Sequence, residues 1–191
     1  MLPGRPDLSE EVLSSRVIFE GRVVKLRVDT VRTVDGRKST REVVEHAPCV
    51  AVVAVDDEDN VLLVRQYREA LGKELLEIPA GGIDEGESPE AAVLREMQEE
   101  TGYRPGKMVR LGGVYTTPGF CNEYLHLYLA TNLTPARLYA EDTAGIEVVP
   151  VPLADIPALV ASGKIEDSKS VAGLLYYLEY KKMHPEVCDG L

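Results

Sequence analysis

The stretch that decides the reading is GGIDEGESPEAAVLREMQEETGY, Gly81 to Tyr103. Ser88 is a good helix N-cap, because its hydroxyl can take up a free N–H of the first turn. Pro89 suits the first helical position, and Glu90 sits well with the positive end of the helix dipole. Gly102 offers the left-handed conformation on which helices often stop. The spacing predicts a helix from Ser88 to about Thr101. At about 100° per residue, Leu94, Met97, Thr101 and Ala91 share one side, the expected core-facing stripe. Glu96, Glu99 and Glu100 crowd an arc opposite it. Carboxylates at such spacings repel one another. Either the arc is a solvated acidic face, or a divalent cation relieves the repulsion. Oxygen-only ligands suit Mg²⁺ or Mn²⁺.

The helix sits among strands. Upstream, the chain from Val17 to Ala47 holds β-branched stretches broken at Glu20-Gly21 and Asp35-Gly36, and Asp-Gly between such runs is a strong hairpin signal. Cys49–Val55 is a continuous apolar run, as in a strand buried on both faces. Asp56–Asn60 reads as a turn, Val61–Arg68 as the returning strand and Glu74–Ala80 as a short strand ended by Pro79 and Gly81. Downstream, strands are expected over Met108–Thr116, Glu123–Leu133 and Gly145–Leu153, and helices over Leu153–Ser162 and Ser168–Met183. The fold class is mixed α/β (α+β), a β-sheet sandwiched between helices behind a strand-rich extension. The expected organisation is a tail and extension over 1–46, with 1–14 a polar tail, a main domain over 47–184 and a short tail over 185–191.

The quoted segment matches the Nudix box, with Gly81, Glu87, Arg95, Glu96, Glu99, Glu100 and Gly102 at its fixed positions and Met97 and Tyr103 at its apolar ones. The chain resembles the Nudix hydrolases, which cut a nucleoside diphosphate from a linked group with divalent metal. The resemblance implies Glu96 and Glu100 as metal ligands, Glu99 as ligand or base, and the carbonyl of Ala80 completing the coordination. Glu87 is expected to support the loop or an outer metal, and Arg95 to hold a carboxylate in place. The chemistry is coherent: a diphosphate entering an acidic site needs a cation to bridge the charges and polarise the phosphoryl oxygens.

Outside the box, YTTPGFCNE (Tyr115–Glu123), with Pro118, Gly119 and Phe120, resembles the ADP-ribose pyrophosphatase branch. So do VRQYRE (Val64–Glu69) and EDSKSVAGLLYYL (Glu166–Leu178). Read alone, Pro118-Gly119 is an ordinary turn former. Arg68, at a strand end leading to the box, is the expected cation for the diphosphate, with Arg41 as a second. Tyr115, Phe120 or an aromatic from the N-terminal strands could stack on adenine. In the resembling enzymes the general base comes from a loop corresponding to Leu138–Gly145; Glu141 is the expected residue and Asp142 the alternative. Those enzymes also exchange the N-terminal extension between subunits, which implies a homodimer. Other Nudix substrates, and a non-catalytic ADP-ribose sensor, are the competing readings.

Composition narrows the rest. The formal net charge is −11, and Asp84–Glu100, with seven acids and one base, carries −6 of it. Such a surface disfavours a nucleic-acid partner. The three cysteines are too few and scattered for a disulfide framework. No apolar run approaches the ~18 residues of a membrane helix, and a cytoplasmic enzyme with a small nucleotide substrate is expected.

Overall fold

The computed structural model describes residues 7–140 and 143–184. They divide into two compact units. One holds the chain up to Ala47 together with Tyr115–Glu123; the other holds Pro48–Val114 and the chain from Tyr124 onward.

The first unit is an antiparallel sheet of β1 (Glu11–Glu20), β2 (Val24–Arg32) and β3 (Lys38–His46), in that order. Gly36, at φ +82°, makes the second turn, where the Asp-Gly signal placed it. The first strand begins at Glu11, inside the expected tail. Its polar residues carry no strand signal alone; pairing with β2, Glu11 opposite Arg32, recruits them. Tyr115–Glu123 joins this unit through the Val44 N–H, which donates to the Phe120 carbonyl (2.7 Å), and the Asn122 N–H, which donates to that of Val44 (3.2 Å).

In the second unit, β4 (Cys49–Ala54) is the buried centre. Its order is β7 (Ala80–Gly82), β4, β9 (Tyr124–Pro135), β8 (Tyr103–Tyr115), with β4 and β9 parallel. A second sheet runs β10 (Glu147–Pro152), β5 (Asn60–Arg68), β6 (Lys73–Glu77). The helices are α1 (Pro89–Glu96), α2 (Ile156–Ala161), preceded by a 3-10 turn at Leu153–Asp155, and α3 (Ser168–Met183). Because side chains alternate along a strand, Val50, Val52 and Ala54 pack with Ala92, Val93 and Met97 of the α1 region. Ala51 and Val53 pack with Ile156, Leu174 and Tyr177 from α2 and α3. The sheet is thus covered by helices on both faces.

Two expectations need correction. Glu74–Ala80 is two strands in two sheets, because Pro79 has no N–H for a ladder. The Ile78 N–H turns aside to the Ser170 hydroxyl (2.8 Å), and the Pro79 carbonyl accepts from the Val52 N–H (2.9 Å). The buried side of the box helix is also only partly the expected stripe: Met97 and Thr101 are buried as expected, but Leu94 is half-buried. Ala92, Val93 and Met97 face the core, Ala91 is exposed, and Glu96 and Glu100 are buried rather than opposite the core. Hydrophobicity favoured leucine as the centre of the stripe, but it is Ala92, Val93 and Met97 that cluster with the residues of β4 and β9.

Candidate active site

α1 starts as its sequence dictates: the Ser88 hydroxyl accepts from the Ala91 N–H (3.2 Å), with Pro89 following. From Met97 to Thr101 the helix widens into a π-turn, closed by Gly102 at φ +80°. Glu96 therefore ends the regular helix, and Glu99 and Glu100 lie on the wider turn. π-turns are rare and concentrate at functional sites.

A cleft of about 180 Å³ lies against this turn, lined by Gln66, Arg68, Ala80, Gly81, Gly82, Glu96, Glu100, Thr143 and Ile146. Glu96 and Glu100 are 8% and 7% exposed. The Ala80 N–H donates to Glu100 (2.9 Å). A β-carbon on Gly81 would lie 1.9 Å from Glu96 Oε1, so only glycine leaves the carboxylate its seat. Burial pushes the Glu100 carboxyl up to about 8; the Ala80 N–H, Arg68 and Lys169 oppose that, and the Glu96 charge adds to it. Two carboxylates in one buried cleft, the deeper carrying so large a desolvation penalty, are a donor set that a hard divalent cation would satisfy.

Arg95 organises the acids around the cleft. It donates to Glu87 (3.1 and 3.0 Å), Glu96 (2.6 Å), Glu99 (3.3 Å) and the Gly82 carbonyl (2.8 Å). Glu87 also accepts the Asp84 N–H (3.0 Å), tying down the loop before the helix. The hydrogen bonds that Arg95 donates to Glu87 hold the Glu87 carboxyl below the usual carboxylate range, and the same bonds hold Arg95 still more firmly charged. Glu99 stands outside the cleft lining, linked to it through Arg95.

Arg68 lines the cleft and is fastened to Glu77 at two points, 2.8 and 2.5 Å. Burial would raise the Glu77 carboxyl, but the hydrogen bond from Arg68 and the charge of Lys169 leave it lowered. Sequence reasoning passed over Gln66, Glu77, Thr143, Ile146 and Lys169. Three left signals. Gln66 shares the Arg68 face of β5 by alternation. Glu77 is an acid closing a short strand run. Lys169 is a cation in the first turn of a helix, where the dipole disfavours it.

The remaining candidates gather in the first unit. Arg41, Tyr115, Pro118, Gly119, Phe120 and Cys121 are among the residues lining a depression of about 340 Å³. Thr117 accepts the Phe120 and Cys121 N–H groups (3.3 and 3.0 Å), making the turn that carries Pro118 and Gly119. Tyr115 and Phe120 are 60% and 55% exposed. Arg41 pairs with Glu10 (3.0 and 2.5 Å). Glu141 and Asp142 lie outside the described residues, as does Cys188.

Comparison with protein-family models matches the NUDIX domain over residues 45–172 and the nucleoside diphosphate sugar hydrolase N-terminal domain over 10–44. An ADP-ribose pyrophosphatase of Bacillus subtilis (strain 168) is 38% identical over 177 residues, covering 92% of this chain and 95% of that protein. A methanol dehydrogenase activator of Bacillus methanolicus is 38% identical over 169 residues, 87% of this chain and 91% of that protein. A crystal structure of an ADP compounds hydrolase superposes with a TM-score of 0.86 at 22% identity, covering 94% of this chain and 98% of that one.

Proposed function

The chain belongs to the NUDIX family, and from that membership we propose that it hydrolyses the diphosphate bond of ADP-ribose, giving AMP and ribose 5-phosphate. The observation that carries the reading is the buried pair Glu96 and Glu100 in a cleft that also holds Arg68. Similarity to an ADP-ribose pyrophosphatase over nearly the whole of both chains supports the substrate.

In this reading Glu96, Glu100 and the Ala80 carbonyl hold Mg²⁺ or Mn²⁺, with Glu99 as a further ligand or a base. The oxygen-only donor set and the desolvated Glu100 fit such an ion. When bound, it neutralises diphosphate charge and polarises a phosphoryl oxygen. Gly81 keeps room for Glu96, and Arg95 fixes the direction of Glu96 and Glu99. Arg68 binds a phosphate oxygen. Glu141, or else Asp142, removes the proton from the attacking water. Arg41, Tyr115, Pro118, Gly119 and Phe120 receive the nucleoside, the aromatic rings offering faces for the base.

We further infer a homodimer and a cytoplasmic enzyme. β1 exposes Val12, Val17, Ile18 and Phe19, an apolar set on a strand that is paired on one side only. Among the described residues no helix is long and apolar enough to cross a membrane. A monomer by light scattering at micromolar concentration removes the dimer. The decisive experiment for function is incubation with ADP-ribose and Mg²⁺. Release of AMP and ribose 5-phosphate supports the assignment; untouched ADP-ribose with cleavage of another nucleotide overturns it.

A further inference from the structure

Glu77 is an unusual residue to find where it is. It closes β6 and is 1% exposed. A carboxylate so placed is costly unless its oxygens are paired. Two cations pair it. Arg68 grips both oxygens, and Lys169 from α3 reaches the oxygen that Arg68 Nη2 also meets. Lys169 is braced in turn by Asp167, the N-cap of α3 (2.9 Å).

The arrangement is aimed at Arg68. Arg68 is the last residue of β5, where the chain leaves the sheet for a turn that closes on its own carbonyl. A long side chain at a strand end would sample many rotamers. The two-point grip removes that freedom. It uses two of the five guanidinium N–H donors, and the other three have no side-chain partner among the described residues. The side chain is still 38% exposed, and the residue lines the same cleft as Glu96 and Glu100.

We propose that Glu77 is a positioning residue for the diphosphate of the substrate: it contacts no substrate atom, but its grip presents the free donors of Arg68 to a phosphate oxygen. This rests on reading the cleft as a diphosphate site. Lys169 balances the second half of the Glu77 charge, so that the carboxylate holds Arg68 without drawing further donors to itself. Binding then meets a guanidinium already ordered, and the entropy of fixing it is not lost at that step.

The competing role is purely structural, with Glu77 anchoring α3 to β6. A double-mutant cycle separates the two. Binding of inorganic pyrophosphate with Mg²⁺ is measured by calorimetry for wild type, Glu77→Gln, Arg68→Ala and the double variant, alongside KM and kcat for ADP-ribose. Glu77→Gln should weaken pyrophosphate binding and raise KM by roughly three- to tenfold, with kcat less affected. In the Arg68→Ala background the same change should have less than about twofold effect, because the partners act as one unit. Equal effects in both backgrounds, or a lower melting temperature with unchanged binding, overturn the proposal. If Glu77→Gln does not fold, Glu77→Asp replaces it, keeping the charge but withdrawing it by one methylene. A wild type that binds pyrophosphate but leaves ADP-ribose intact removes the proposed function, while the binding cycle still decides Glu77. A wild type that binds no pyrophosphate overturns both.

Discussion

The carboxylate of Glu96 occupies the space that a side chain on Gly81 would need: a β-carbon there would meet Oε1 at 1.9 Å and Cδ at 2.0 Å. The clash falls on the far end of a flexible side chain, so it can be relieved by moving the carboxylate and leaving the backbone alone. Gly81→Ala should therefore fold, with a melting temperature within a few degrees of wild type. Mn²⁺ affinity should fall by about 10- to 100-fold, the usual cost of disturbing a ligand's setting. Calorimetric Mn²⁺ titration beside a thermal melt checks this; unchanged affinity means Glu96 is not a ligand in the place the cleft gives it.

Glu100 has a different signature. Its burial beside Glu96 disfavours the charged form unless a cation is bound. Glu100→Gln keeps the shape and removes the charge. In EDTA the variant should melt no lower than wild type, yet lose the rise in melting temperature that Mg²⁺ gives the wild type. With ADP-ribose, kcat should drop by about 10² or more, the scale of a lost electrostatic contact at a reacting centre. Near-normal turnover would remove Glu100 from the ligand set.

Glu77 makes stability depend on acid. Its folded pKa lies below the ordinary 4.5, because Arg68 and Lys169 outweigh burial. A carboxylate lowered on folding contributes stability above its unfolded pKa and loses it as pH falls through the folded value. Glu77→Gln should cost about 1–3 kcal/mol at pH 7, the scale of lost hydrogen bonds to a charged group, since Arg68 stays partly solvated and Lys169 keeps Asp167. The gap between variant and wild type should narrow below pH 4.5. Urea melts across pH 7 to 3 read the trend, and a gap that stays constant contradicts it.

The depression around Arg41 gives a binding prediction rather than a chemical one. Tyr115 and Phe120 present exposed rings within it. Stacking on a nucleobase is worth about 0.5–1.5 kcal/mol beyond burial. Phe120→Ala or Tyr115→Ala should raise KM for ADP-ribose about three- to tenfold and leave kcat near wild type. If neither moves KM, the nucleoside binds elsewhere.

The proton acceptor is tested by Glu141→Gln and Asp142→Asn. A loss of kcat by about 10² or more with little change in KM identifies the base. If both variants turn over normally, Glu99 becomes the residue to substitute next.

Much of this protein was legible in its sequence, and the failures have physical causes. Caps are local, so Ser88, Pro89 and Gly102 marked the box helix correctly. The continuous apolar run Cys49–Val55 marked the central strand for the same reason: burial on two faces needs apolar residues at every position. The rotation of the helix was legible only in part: Met97 and Thr101 are buried as the periodicity implies, while Ala92 and Val93 take the place against β4 that leucine's hydrophobicity suggested for Leu94. Pro79 marked the end of the first strand locally, but the destination of the Ile78 N–H, the hydroxyl of Ser170 far along the chain, was not legible. Glu77 and Lys169 escaped notice for a similar reason, since a pair separated so widely in sequence has no local spacing to reveal it.

The π-turn has a consequence for how the chain can vary. Each residue added to or removed from a helix turns everything beyond it by about 100°. Met97–Thr101 spends more residues per turn than a regular helix, and in that register Glu100 lies beside Glu96 while the chain still reaches Gly102. Between Glu96 and Glu100, residue count acts as a direction. An insertion or deletion there, even one that respects every local preference for helix, would aim Glu100 away from the cleft, whereas a substitution at Gln98 leaves that count intact.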